Sequence, residues 1–325
     1  MTTRSCSSSI KNHPIDAIIL WVDGNDENHK LKMLSFLNDK ETIKSKNFRT
    51  RYDHVNEIKF TIDSILKYAP FIRNIFIITD NQTPDFLKTT GRKDYYKNVS
   101  IIDHKIIFSG YEQFLPTFNS RTIESFMFRI PNLAEHFIYF NDDFFLINKT
   151  EPEDFFRNGY PVLRGKWQKL DKDKFLKKFK KQRFGHKYAQ QYSAKLAGFD
   201  NYYNFKHTPH PFRKSTFEKY LKTNEEVFIE NVKHKFRNKK QFLLQGLINH
   251  IEIKNKTCYF KNDYQLLYFR SYKKPLPWYK FKLNIKTNKK LFLGLQSLDK
   301  CPPKTLDYIL KWLEKRMEIE QSSIK

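Results

Sequence analysis

Three consecutive polar residues, Asn141, Asp142 and Asp143, interrupt an apolar run in FIYFNDDFFL, residues 137–146. A short run of aromatic and β-branched residues suits a buried strand of a parallel sheet, and such sheets bind ligands just beyond the carboxyl ends of their strands. The two carboxylates therefore fall where a ligand would sit. Adjacent acids flanked by Tyr139, Phe140, Phe144 and Phe145 repel each other and lose hydration unless a cation or a proton compensates them. A divalent metal carrying phosphates is one such compensation. A solvated turn is the plain alternative.

Three other stretches carry candidate chemistry. In HTPHP, His207 and His210 are held by Pro209 and Pro211 in extended or turn backbone, so their imidazoles can be fixed without a helix. Their spacing outside a helix, with no partnering cysteine, argues against zinc and for an acid, a base or a phosphate donor. Asp23 and Gly24 form a turn, and Gly24 would let backbone N–H groups approach a phosphate closely. Asn119 or Ser120 is the natural N-cap of a helix carrying Ile123, Phe126, Met127 and Ile130 at i, i+3, i+4 and i+7. The free N–H groups of such a terminus favour a phosphate, although capping alone accounts for the same two residues.

The elements that must position these groups alternate. IDAIILWV, residues 15–22, reads as a first buried strand, with Asp26 able to cap the helix that follows. From Arg51 the pattern turns helical, with Ile58, Ile62, Ile65 and Leu66 on one face and Pro70 beyond the end. IFIIT, residues 75–79, is a second strand closing on Asp80, and residues 99–102 are a third closing on Asp103 and His104. This alternation predicts an α/β fold: a mostly parallel, Rossmann-like central sheet with flanking helices and several acids on one edge. Residues 1–13 read as a disordered tail and residues 14–325 as a single catalytic domain. Within it, 165–200 reads as a basic, mainly helical insertion. Its lysines, among them Lys177, Lys178, Lys180 and Lys181, flank a stripe of Phe175, Leu176 and Phe179. That pattern suits either a solvated surface helix or docking to an anionic lipid or polymer. The C-terminal part reads as helical, with Pro302 and Pro303 opening a helix that buries Leu306, Ile309, Leu310, Leu313 and Met317.

Composition narrows the partners. An apolar content of 39% with 31 Phe and 18 Tyr supports an aromatic-rich core, while a net charge of +25 favours an anionic partner: nucleic acid, an acidic membrane leaflet or an anionic polymer. Cys6, Cys258 and Cys301 are too scattered for a disulfide framework or a zinc site. The first residues lack the apolar core of a signal peptide, and no apolar run approaches the ~20 residues of a membrane span. A cytoplasmic setting is expected, with any membrane contact peripheral.

The blocks IDAIILWVDGND, RYDHVNEIKFTIDSILKYAPFIRNIFIITDNQTPDFL, LPTFNSRTIESFMFRIPNLAEHFIYFNDDFFL and HTPHPFRK resemble the Stealth family of sugar-phosphate transferases. That family includes bacterial capsular polysaccharide phosphotransferases and the catalytic subunit of the lysosomal-enzyme N-acetylglucosamine-1-phosphotransferase. The resemblance covers residues 14–150 densely and 205–240 more thinly. Asp63 stands where the family usually has Arg, and Phe71 and Phe86 where Trp is common. A C-terminal family block is matched at best by Leu295 to Asp299, to which no role is assigned.

The resemblance implies transfer of a hexose 1-phosphate from a nucleoside-diphosphate sugar, with a UDP-sugar as the expected donor, to a glycan hydroxyl, forming a phosphodiester and releasing UMP. It implies Mg²⁺ or Mn²⁺ on Asp142 and Asp143, both hard cations that prefer oxygen ligands. Trp21, Val22, Asp23, Gly24, Asn119, Ser120, Arg121 and Asn141 would cradle the nucleotide and diphosphate. His207 would deprotonate the acceptor or donate to the transferring group, and Arg237 would stabilise developing charge. The implied partners are the donor, an anionic glycan acceptor and, peripherally, membrane or capsule assembly machinery. A metal-dependent glycosyltransferase with a GT-A-like sheet, releasing UDP, is the competing enzyme. A basic nucleic-acid-binding protein is the non-enzymatic alternative, disfavoured because clustered acids would repel phosphate backbones.

Overall fold

A computed structural model describes residues 13–37, 39–44, 55–89, 94–171 and 185–318. Its centre is a sheet in which β1 (Ile15–Leu20), β2 (Ile72–Thr79), β3 (Val99–Asp103) and β4 (His136–Phe140) run parallel in the order β3-β2-β1-β4. Ile18 lies between Phe76 on one side and Tyr139 on the other, so the central strand is apolar on both faces. All four strands end on the same edge, which brings Trp21, Asp80, His104 and Asn141 together.

Beyond β4 the chain does not resume the same strand. Phe144–Leu146 forms β5, which belongs to a different sheet. Asn141 to Asp143 are thus a link between two sheets. β6 (Phe156–Arg157), β7 (Tyr160–Lys169) and β8 (Asn201–Phe205) follow, with β7 antiparallel to both of its companions. β9 (His210–Arg213) then adds antiparallel to β4, closing the central sheet at five strands. β10 (Tyr259–Lys261) joins β7, while β11 (Leu266–Phe269) and β12 (Phe292–Leu295) complete the sheet that holds β5. The mostly parallel α/β fold with flanking helices is as the sequence predicts.

The helix Glu57–Tyr68 clamps the link. Its Ile58, Ile62 and Ile65 are buried against the central sheet, and its polar side turns toward residues 141–146. There Thr61 Oγ1 donates to the Asp142 carbonyl at 2.6 Å, and Leu146 N donates to Ser64 Oγ at 3.0 Å. From the other side Leu295 N donates to the Asp143 carbonyl at 3.0 Å. Gly294 in β12 has to be glycine, since a Cβ there would meet Phe144 and Tyr268 ring carbons at 2.7 Å.

Three expectations need correction. The helix predicted over residues 120–130 is a five-residue helix, Ser120–Glu124, followed by a separate 3₁₀ turn, Met127–Arg129. Ser125 Oγ bonds back to the Arg121 carbonyl at 2.9 Å and accepts from Asn231 at 3.0 Å, which diverts the chain. The expected helical insertion over 165–200 begins instead as strand, because residues 165–169 complete β7 and pair with β8; a helix, His186–Leu196, follows later. Lys177, Lys178, Lys180 and Lys181, like the tail before residue 13, lie outside the described residues. The C-terminal helix, Pro303–Met317, buries Ile309, Leu313 and Met317, with Leu306 and Leu310 only half-buried. Cys258 and Cys301 are free thiols. Among the described residues no helix is long and apolar enough to cross a membrane.

Candidate active site

A cavity of about 730 Å³ opens at the carboxyl edge of the parallel strands. Trp21, Val22, Ser120, Arg121, Asn141, Asp142, Asp143, His207 and Arg237 all line it. These come from five separate stretches of chain. Asp23, Gly24 and Asn119 do not line it. Asp23 is held in a turn, its N–H donating to Gln82 Oε1 at 2.9 Å and its carboxylate accepting from Asn25 N at 2.8 Å. Gly24 is buried in the same turn. Asn119 caps the short helix through Arg121 N at 3.3 Å, and its amide donates to the His234 carbonyl and to Gln241 Oε1, each at 2.9 Å. It braces the loop that carries Arg237. The three residues expected to cradle a nucleotide thus stand behind or beside the cavity lining and not in it.

One wall is acidic. Burial, then the neighbouring Asp142 and Glu57 carboxylates, push the Asp143 carboxyl well above the ordinary range. Burial and Asp142 likewise raise Glu57 to about 7. Two carboxyl groups raised by burial and by the neighbouring Asp142 fit the chemistry of a cation site. Among the described residues, no cluster of three or more His, Cys, Asp or Glu side chains forms a ready-made metal cage. A Mg²⁺-type ion needs no such cage, because it binds through one or two carboxylates plus substrate phosphates and water. Asp142 and Asp143 meet that requirement.

The same cavity is also lined by two arginines and a buried acid. Arg237 donates to Ser120 Oγ at 3.0 Å, and the buried Arg121 guanidinium donates to the Asn238 carbonyl at 3.3 Å. Between them Glu124 is raised to about 7 by burial, against the pull of Arg237 and Arg121. Tyr139 donates to its Oε1 at 3.3 Å, and Oε2 makes no hydrogen bond among the described residues.

His207 occupies the third side. Its ring lies 4.3 Å from His186 and 6.2 Å from Phe144, and burial, then Arg270 and Lys206, lower it to about 4. The imidazole is therefore neutral at physiological pH, with one ring nitrogen able to accept a hydrogen bond. His210, in β9, is buried away from the cavity and lowered to about 3 by burial and His207.

Sequence reasoning missed Glu57, Glu124, His186, Gln296 and Ser297, of which all but Glu57 line the cavity. Glu57, Thr61 and Ser64 stand at i, i+4 and i+7, a buried polar stripe on an amphipathic helix, and that spacing was a readable signal. Gln296 and Ser297 fall in the block left without a role.

Acidic side chains and two guanidinium groups thus line one cavity at the carboxyl edge of a mostly parallel sheet, the edge at which α/β proteins bind their ligands. Residues 51–162 match the sequence model of Stealth protein CR2, conserved region 2. Capsular polysaccharide phosphotransferase cps1A of Actinobacillus pleuropneumoniae is 33% identical over 237 residues, which is 69% of this chain and 60% of that relative. Exopolysaccharide phosphotransferase cps2G of Lactiplantibacillus plantarum is 32% identical over 251 residues, 69% of this chain and 71% of the relative. The chain belongs to the Stealth family. It spans about 60% of the length of the first of these relatives. Among solved structures, a galactosyltransferase LgtC complex aligns over 94% of this chain and 98% of its own at 10% identity, with a TM-score of 0.44.

Proposed function

We propose that the protein transfers a sugar 1-phosphate from a nucleoside-diphosphate sugar to a glycan hydroxyl, in the assembly of a capsular or other extracellular polysaccharide. The observation that carries this reading is that Asp142, Asp143, Arg121 and Arg237 line one cavity at the carboxyl edge of the parallel strands. The printed names of the relatives, capsular and exopolysaccharide phosphotransferases, support it.

The acceptor oxygen attacks the phosphorus that bears the sugar, a new P–O bond forms, and the bond to the bridging diphosphate oxygen breaks. With a UDP-sugar the leaving group is UMP. His207, neutral in its buried setting, accepts the acceptor proton. Arg237 and Arg121 present guanidinium donors to the transferring phosphoryl oxygens, where charge shifts during in-line displacement. Trp21 and Val22 line the part of the cavity that follows β1, where the base and ribose fit. Asp142 and Asp143 would hold Mg²⁺ or Mn²⁺, which when bound neutralises diphosphate charge. Glu124 lines the same cavity, near enough to Arg237 and Arg121 for their charges to act on it.

The test follows the phosphorus. A UDP-sugar labelled at the sugar-linked phosphate should deliver the label to the acceptor and release unlabelled UMP. Label retained in released UDP identifies glycosyl transfer instead and ends this reading.

A further inference from the structure

Outside the cavity, the wall next to His207 continues into a strip of cations laid over aromatic rings. Lys166 of β7 and Lys206, just past β8, both reach over Tyr264, at 5.8 and 5.0 Å from its ring centre. Further in, Arg270 lies 5.2 Å over Tyr268. The Tyr268 ring is 5.7 Å from that of His207, and its hydroxyl donates to Gln296 Oε1 of the cavity wall at 2.7 Å. The strip is therefore continuous with the site.

Strand geometry produces this arrangement. Lys166 pairs opposite Asn204, so Lys166 and Lys206 project from the same face of the sheet. Trp167 and Tyr203 project from the other face, where their rings meet edge to face. Lys166 and Arg270 are exposed; Lys206, Tyr264 and Tyr268 are half-buried. Among the described residues none of the three cations pairs with a carboxylate. Asp263, beside Tyr264 in sequence, is occupied by the backbone and side-chain amides of Gln265.

Aromatic faces pack against the C–H faces of sugar rings, and unneutralised lysine and arginine side chains bind phosphodiester oxygens. Rings and cations lie side by side along this strip, as sugars and phosphates do along a phosphodiester-linked glycan. We propose that Lys166, Tyr264, Lys206, Arg270 and Tyr268 form the docking surface for such a chain, whose terminal hydroxyl enters the cavity beside His207. The inference rests on the transferase reading, since the docked chain is the product of earlier transfers. It makes the enzyme prefer a longer, already phosphorylated acceptor over a single sugar.

The test titrates the full chain, without donor, with a synthetic phosphodiester-linked hexose tetramer, a neutral tetramer of the same sugar, and single-stranded RNA of matched charge. The phosphodiester tetramer should bind at least ~10-fold tighter than either, by charge-assisted contacts added to ring stacking. Lys166→Ala with Arg270→Ala should lose most of that margin, whereas Trp167→Ala, on the opposite face, should keep it. In transfer assays the kcat/KM ratio of tetramer to monomer acceptor should fall by the same factor in the double variant. Equal affinity for the tetramer and either control, or an undiminished margin in the double variant, overturns the proposal. Because the titration needs no donor, the two readings fail separately. Tetramer binding without any phosphate transfer sinks the transferase reading alone, and transfer without tetramer preference sinks the docking surface alone.

Discussion

Two sets of buried acids sit at opposite ends of the central sheet and are treated in opposite ways. At the amino end of β1, the fully buried Asp16 accepts from Arg73 Nε and Nη2 at 3.0 and 2.7 Å, from Asn74 N at 3.2 Å and from Ala134 N at 2.7 Å. At the carboxyl end, Asp143 and Glu57 face Asp142 and one another, and their carboxyl groups are driven toward the protonated form. An acid surrounded by donors holds strands together. Acids that crowd one another store a demand for positive charge, which a ligand can meet. The same residue type on the same sheet thus does structural work at one end and invites a cation at the other.

The contrast can be broken by substitution. Asp142→Asn or Asp143→Asn should lower transfer by roughly a thousandfold, the scale of a lost electrostatic contact at the reacting group, with the thermal midpoint unchanged or raised. Activity within tenfold of wild type in both would remove the acid pair from the chemistry. Asp16→Ala should do the reverse: unfolding in urea should show a loss of ~3 kcal/mol, while the KM values of the surviving folded enzyme hold. A smaller effect separates the third acid. Glu124 is raised from its unfolded value to about 7, so its folded form holds a proton that the unfolded chain releases earlier. That stabilisation is complete below the unfolded value and is lost as pH rises toward 7. Glu124→Gln should therefore gain stability relative to wild type between pH 4.5 and 7, by up to ~3 kcal/mol, and level off above. A difference that stays flat across that range would show the carboxyl is not raised. The least disruptive change is Thr61→Val, which removes one hydrogen bond to the Asp142 carbonyl at a cost of about 1 kcal/mol and a modest loss of turnover.

Much of this arrangement is legible in the chain itself. Apolar runs that end on Asp80 and Asn141 report buried parallel strands and the edge where they stop, because burial on both faces leaves an unbroken apolar stretch. The N-cap at Asp26 reads directly, its side chain accepting from His29 N at 2.9 Å. Other features depend on contacts distant in sequence. The helix after Asn119 breaks because Asn231 and the Arg121 carbonyl claim Ser125, which no local pattern records. β7 carries Lys166 and Lys169 through its exposed half, so its polar residues imitate a surface helix. Glu124 looks like an ordinary helix acid; only the fold encloses it between Tyr139 and two arginines.

The central claim is that Asp142 and Asp143 are left crowded so that a divalent ion and a diphosphate can settle there together. Titration of Mn²⁺, followed by its electron spin resonance, reads this directly in wild type and in the Asp142→Asn, Asp143→Asn double variant, each with and without UDP. The account predicts Mn²⁺ binding that UDP strengthens in the wild type and that the double variant loses. Mn²⁺ binding indifferent to UDP, or equal in the two proteins, would contradict it.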